Sequence, residues 1–362
     1  MKDPRIEKIA KLLVEHSVKV KKNDSVRISI EPEASPLALE VYRLCVKKGA
    51  FPYIRCGVPG AGYIYYKYAS DAQLKKFPKV AMFEEKNTDA VINISGDYNT
   101  REFSNIDPRK MAVRSKVTKP LSDYRMKKDR WVGCDYPTNA LAQEANMSLE
   151  EYEDFSFDAM SIDSKNMMPQ MLRIKKLLDK TNIVRIVGKN TDLSFSVKGM
   201  TSRAEYATHN VPDGEVFTSP VKNSVNGHIA FSYPAIRAGN EVSGIWLEFR
   251  NGKVVKEKAE KNLKFLKAML DMDEYSRFIG EFGIGCNYKI SKFTKNLLFD
   301  EKIGGTIHLA LGHCYPENCR GNEKNANTKS ALHWDILKDF RFDGGEVYFD
   351  KKLVQKNGKF LV

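Results

Sequence analysis

The chain has no run approaching 18 consecutive apolar residues, so the sequence marks no membrane span and no membrane partner. Its amino terminus, MKDPRIEKIAKLLVEHS, sets Ile6, Ile9, Leu12 and Leu13 on one face between charges. That is an amphipathic helix rather than the uninterrupted apolar core of a signal peptide, and a cytoplasmic location is expected. Cysteine is scarce and scattered: six residues, at 45, 56, 134, 286, 314 and 319, in a chain of 362. They cannot staple a chain of this length, and in a reducing compartment most should be free and buried. Blocks of five or six like charges are missing, as is any RNA-binding signature. The net charge of +13 comes from lysines spread along the chain, as in KKNDS, KNGK and KEKAEKN. A lysine-rich solvated surface accounts for it, and nucleic acid is not an expected partner. The glycine-rich stretch GVPGAGYIYY (57–66) lacks the G-x-G-x-x-G spacing, and no G-x-x-x-x-G-K-[ST] occurs, so no nucleotide site is expected.

What is present suits two domains: 362 residues, 42% hydrophobic and 10% aromatic, give ample material for packed cores. The first third alternates strands with helices. VRISI (26–30) is a β-branched run, Ser35-Pro36 reads as a helix start, Leu37, Val41, Leu44 and Cys45 recur at helical spacing, and Gly49 ends the helix. PYIRC (52–56) and DAVINISG (89–96) supply further strands, so an open parallel sheet with flanking helices is expected. Ser148 and Glu151 form a capping box before EEYEDFSFDAM, and a helix around 171–180 closes this domain. From 181 to 362 the texture is strand-like, with an Asn251-Gly252 hairpin turn and one helix over 255–272. The expected architecture is α/β: an open parallel sheet over 1–180, then a mixed, largely antiparallel α+β domain over 181–362.

Chemistry-bearing residues collect in turn-rich stretches of the second half. In SALHWDILKD a strand would point His333 and Asp335 to one face and Trp334 to the other. Glu281 lies among Gly280, Gly283 and Gly285, which permit the close approach a crowded site needs. Glu215 follows Pro-Asp-Gly, a turn that would set it at the start of a strand. With Glu301 and His308 the set comprises four carboxylates and two imidazoles, a donor mix suited to two divalent ions such as zinc, cobalt or manganese. The compact loop TIHLALGHCYPENCRG resembles a Cys/His zinc site, but no second cysteine pair completes one. His313, Cys314 and Cys319 are therefore read as loop residues.

The ordered series NVPDGEVFTSP, IGEFGIGCN, DEKIGGTIHLALG, Tyr-Pro and S-A-L-H-W-D resembles the M29 metallo-aminopeptidases over roughly residues 205–345. DYPTNALAQEANMSLEEYEDF agrees more loosely. The resemblance implies a dinuclear metal site in the carboxy-terminal domain. Glu215 and His308 would hold one ion, Glu301, His333 and Asp335 the other, and Glu281 would bridge them. Tyr315 matches the family's active-site tyrosine and would stabilise an oxyanion, with Glu215 or Glu281 carrying a proton. The implied activity is release of amino-terminal residues from peptides with a free amino terminus, by a homodimer. A catalytically inactive scaffold of the same fold is the alternative. The 316–332 loop is polar, asparagine-rich and shorter than the family's, which bears on substrate preference.

Overall fold

A computed structural model describes residues 3–161 and 167–362. The chain divides into two compact units, one of Met1–Ile162 with Tyr206–Asp213, the other of Asp163–Glu205 with Gly214–Val362. This differs from the boundary at 180/181 expected from the sequence, for two reasons. Helix Met167–Leu178 packs on strands Arg203–Glu205 and Glu215–Thr218 of the second unit. The short strand Asn210–Val211 returns to pair with Trp131–Asp135 in the first.

The first unit is the expected parallel sheet, in the order Phe51–Cys56, Ser25–Ile30, Ala90–Ser95, Trp131–Asp135, Asn210–Val211. Val26, Ile28, Ile92 and Val132 are buried in it. The capping box forms as read, with Ser148 and Glu151 opening helix Leu149–Met160. The second helix starts one residue before the Ser35 cap expected from the sequence: a 3-10 turn over Pro32–Ala34 precedes it, so Ala34 takes the cap position and Ser35 is already helical.

The second unit carries two larger antiparallel sheets. One runs in the order Lys253–Lys258, Trp246–Arg250, Asn226–Ala230, Thr191–Ser196, Ile183–Gly188, Gly345–Phe349, Lys352–Lys356, Lys359–Phe360. The other runs His333–Asp339, Thr306–Gly312, Ile279–Gly285, Glu215–Thr218, Arg203–Glu205. Phe195 of the first meets Phe282 of the second edge to face, ring centres 5.2 Å apart, and Trp334 packs against Phe265. The helix expected over 255–272 is only partly formed, as Leu263–Leu270. Asn251 and Gly252, at φ 48° and 85°, fold the chain back so that Lys253–Lys258 becomes an edge strand. Val254 is buried and Val255 exposed along it, an alternation that the lysines obscured. Lysines on such an edge discourage pairing with another chain. Among the described residues no helix is long and apolar enough to cross a membrane. All six cysteines are free and five of them are buried, as the composition implied.

Candidate metal centre

One face of the five-stranded sheet assembles the centre. Antiparallel register sets Ala310 opposite both Glu281 and Asp335, Gly283 opposite His308, Gly312 opposite His333, and Gly285 opposite Glu215. Because side chains alternate, all the acidic and imidazole groups then project from the same face. A register shift between Ile279 and Glu281 inserts Gly280 as an extra residue, which turns Glu281 to the metal face while Ile279 stays in the core. Gly283 leaves the room that His308 fills: a Cβ there would stand 1.9 Å from the imidazole Nε2. The opposite face (Phe282, Ile284, Ile307, Leu309, Leu311, Trp334, Ile336) is buried core.

The donor atoms form two groups. Glu215, Glu281 and His308 compose one, Glu281, His333 and Asp335 the other, and within each the donors lie within 4.8 Å of one another. His308 Nε2 is 3.2 Å from Glu281 Oε1 and 3.4 Å from Glu215 Oε2. His333 Nε2 is 3.4 Å from Asp335 Oδ2 and 4.0 Å from Glu281 Oε2. Each imidazole is aimed by its other nitrogen: Nδ1–H of His308 donates to the Glu301 carbonyl at 3.1 Å, and Nδ1–H of His333 to the His313 carbonyl at 2.7 Å. A carbonyl only accepts, so Nε2 of each ring is left to face the carboxylates, the arrangement usual behind metal-bound histidine. Glu215 Oε2, Glu281 Oε2 and Asp335 Oδ1 are buried without a hydrogen-bond partner. Three orphaned carboxylate oxygens beside two oriented imidazoles fit divalent cations.

Glu301 stands outside both groups. Its carboxylate pairs with the Lys302 ammonium and its carbonyl holds His308, where the sequence suggested direct ligation. Tyr315 borders the centre, its ring 5.1 Å from that of His333 and 5.9 Å from that of Phe217. Burial, reinforced by the charges of Glu281, Asp335, Glu301 and Glu215, pushes its phenol well above the usual range, so it remains a proton donor. Cys314 and Cys319 sit in an apolar cluster with Met200 and Ala326 and belong to neither donor group. Lys302 and Arg237, whose guanidinium donates to the His333 carbonyl at 2.6 Å, were not legible as site residues. A single lysine and a single arginine in loop-rich sequence carry no periodic or spacing signal.

Without metal, the imidazoles hold protons. Burial lowers the pKa of His308, but its bond to Glu281 and the charges of Glu215 and Asp335 outweigh this and raise it to about 9. His333, also opposed by burial, is raised to about 10 by Asp335 and Glu281. Burial raises Glu281, and it raises Glu301 to about 7 against the pull of Lys302. A histidine whose folded pKa is elevated contributes full stability below its unfolded value of 6.5, which is lost as pH climbs through the folded value. The elevated carboxyls act in the same direction at lower pH. Chelator-stripped protein should therefore melt several degrees lower at pH 9.5 than at pH 6.5, and metal should remove most of that slope, since metal takes neutral imidazole. A level melting profile for stripped protein would contradict the protonated arrangement.

A buried sheet face of carboxylates and oriented imidazoles, bordered by a tyrosine whose phenol is held above its usual range, defines a metal-dependent hydrolase centre. Comparison with known proteins makes the class specific. Residues 2–360 match the model of the thermophilic metalloprotease family M29, and the chain belongs to that family. Aminopeptidase 2 of Geobacillus stearothermophilus is 26% identical over 390 residues, covering 94% of each chain. Aminopeptidase T of Thermus thermophilus is 34% identical over 166 residues, 42% of this chain and 40% of its own. In structure, wild-type AmpT from Thermus thermophilus superposes with a TM-score of 0.85 at 20% identity, covering 99% of each chain, and so shares the fold.

Proposed function

We propose that this chain is a dinuclear metallo-aminopeptidase that removes single residues from peptides with a free amino terminus. The observation that carries this is the sharing of Glu281 by two donor groups on one sheet face. Glu215, Glu281 and His308 would hold one ion, and Glu281, His333 and Asp335 the second. When bound, two divalent ions (zinc, cobalt or manganese suit these donors) lower the pKa of water, polarise the scissile carbonyl and anchor the α-amine. The remaining work falls to the chain. Tyr315 donates its hydroxyl proton in a hydrogen bond to the oxyanion that develops as the carbonyl is attacked. Glu215 keeps Oε2 toward the centre, where it would take the proton given up by the attacking water and pass it to the leaving amine. Glu301, with its carboxylate on Lys302, supports His308 through its carbonyl rather than acting as a ligand. The similarity to aminopeptidase 2 and aminopeptidase T supports this reading. The inactive-scaffold alternative finds no support, because every donor type is present and clustered.

The test is to strip the protein with chelator and reload it with cobalt, zinc or manganese. Turnover should return on aminoacyl-anilides and short peptides, and amino-terminal acetylation of the same peptides should abolish it. Absence of turnover with all three metals over a panel of side chains, or equal cleavage of blocked peptides, would sink the reading. We also infer a homodimer acting in the cytoplasm. The six free thiols accord with a reducing compartment, and a monomer by light scattering would refute the dimer.

A further inference from the structure

Lys302 is buried to 0% exposure in the turn that leads from Glu301 into the His308 strand. Lysine is almost never fully buried unless paired, and here its partners belong to the centre. The ammonium Nζ lies 3.3 Å from Glu215 Oε1 and pairs with the Glu301 carboxylate. The backbone clamps it: its N–H donates to the Phe299 carbonyl and its own carbonyl accepts from Asn287 N–H, both at 3.0 Å. The two oxygens of Glu215 therefore face different neighbours. Oε1 is on Lys302, and Oε2, without a hydrogen-bond partner, is 3.4 Å from His308 Nε2.

The other donor group has no such neighbour. Among the described residues no lysine or arginine forms an ion pair with Glu281, His333 or Asp335, and the Arg237 guanidinium is bonded to the His333 carbonyl. A fixed positive charge is thus in direct ion-pair contact with one donor group, whereas Lys302 and Arg237 act on Asp335 of the other only through longer-range charge. In a site screened from water, an ammonium one carboxylate away from a divalent ion repels it strongly. The same ammonium spares Glu215 and Glu301 from facing each other as unpaired buried anions, so the fold can hold them together before any ion arrives.

We propose that Lys302 is a built-in counter-cation that makes the two halves of the centre unequal. It aims Glu215 through Oε1 and weakens cation binding at the Glu215–Glu281–His308 half, so the Glu281–His333–Asp335 half fills first and the other ion exchanges readily. This rests on the dinuclear reading above, and the experiment separates the two. Chelator-stripped protein is titrated with Co2+ by calorimetry, with ion content measured after dialysis and the cobalt absorption bands recorded at each step. Wild type should bind two ions in steps separated by about tenfold or more, the weak step lost in His308→Ala and the strong step in His333→Ala. Lys302→Met should tighten the weak step by about tenfold or more and leave the strong step within about threefold, while Lys302→Arg should keep the wild-type gap. Lys302→Gln serves if the methionine variant does not fold. Failure of wild type to bind two ions would defeat the dinuclear reading itself. Two equal steps in wild type, or a weak step unmoved or weakened in Lys302→Met, would overturn the counter-cation and leave the dinuclear reading standing.

Discussion

Glu281→Gln should cost more activity than any other single change at the centre, because it alone removes a donor from both groups. We expect kcat/KM to fall by at least about 10³-fold, about 4 kcal/mol of transition-state stabilisation. Dialysed protein should retain less than one ion per chain. Glu215→Gln disturbs only the weaker group and should leave close to one ion bound, whereas Asp335→Asn takes a donor from the tighter group and should leave only the ion that exchanges readily. The amide is nearly isosteric with the carboxylate, so circular dichroism of the stripped variant should match that of wild type. Two tightly held ions in Glu281→Gln would remove Glu281 as the shared ligand, and with it the basis for a bridged pair.

Gly283→Ala is expected to have the next largest effect although position 283 carries no chemistry. The added Cβ would stand 1.9 Å from His308 Nε2 and 2.1 Å from Cε1. His308 has no exposure and its Nδ1 is tied to the Glu301 carbonyl, so the ring has nowhere to turn. Either the strands separate or the imidazole leaves its place. Overpacking of this kind costs about 1–3 kcal/mol of stability, and displacement of a ligand should lower activity by about 100-fold or more. The double variant Gly283→Ala with His308→Ala isolates the cause: stability should recover while activity does not. If Gly283→Ala alone is as stable and active as wild type, the close approach of sheet and imidazole is wrong.

Particular residues mark how much of the centre was readable beforehand. His333 and Asp335 share a face because one strand's period of two relates them, and the structure bears that out with a 3.4 Å approach. Glu215 begins its strand as the Pro-Asp-Gly turn suggested. The approach of Glu281 to His308 was not readable from either segment. It depends on antiparallel register between strands 27 residues apart and on a bulge at Gly280 that no local pattern announces. The pairing of Glu301 with Lys302, and the carbonyls of Glu301 and His313 behind the two imidazoles, are likewise products of how the turns close. In the fold, the parallel sheet of the first unit was legible from β-branched runs and helix caps. The helix expected over 255–272 overran the end of strand Lys253–Lys258, because an edge strand rich in lysine shows little alternation beyond Val254 and Val255.

The sequence by itself determined the donor inventory, the αβ alternation of the first half and the family, since each depends on residue type and short spacing. Tertiary structure decided which donors meet, which oxygen of Glu215 stays open, that Glu301 turns to Lys302, and that a glycine makes room for His308. Those outcomes depend on register and close packing across strands. A shift of one residue would turn every side chain to the other face, and the sequence of any single strand is silent about it.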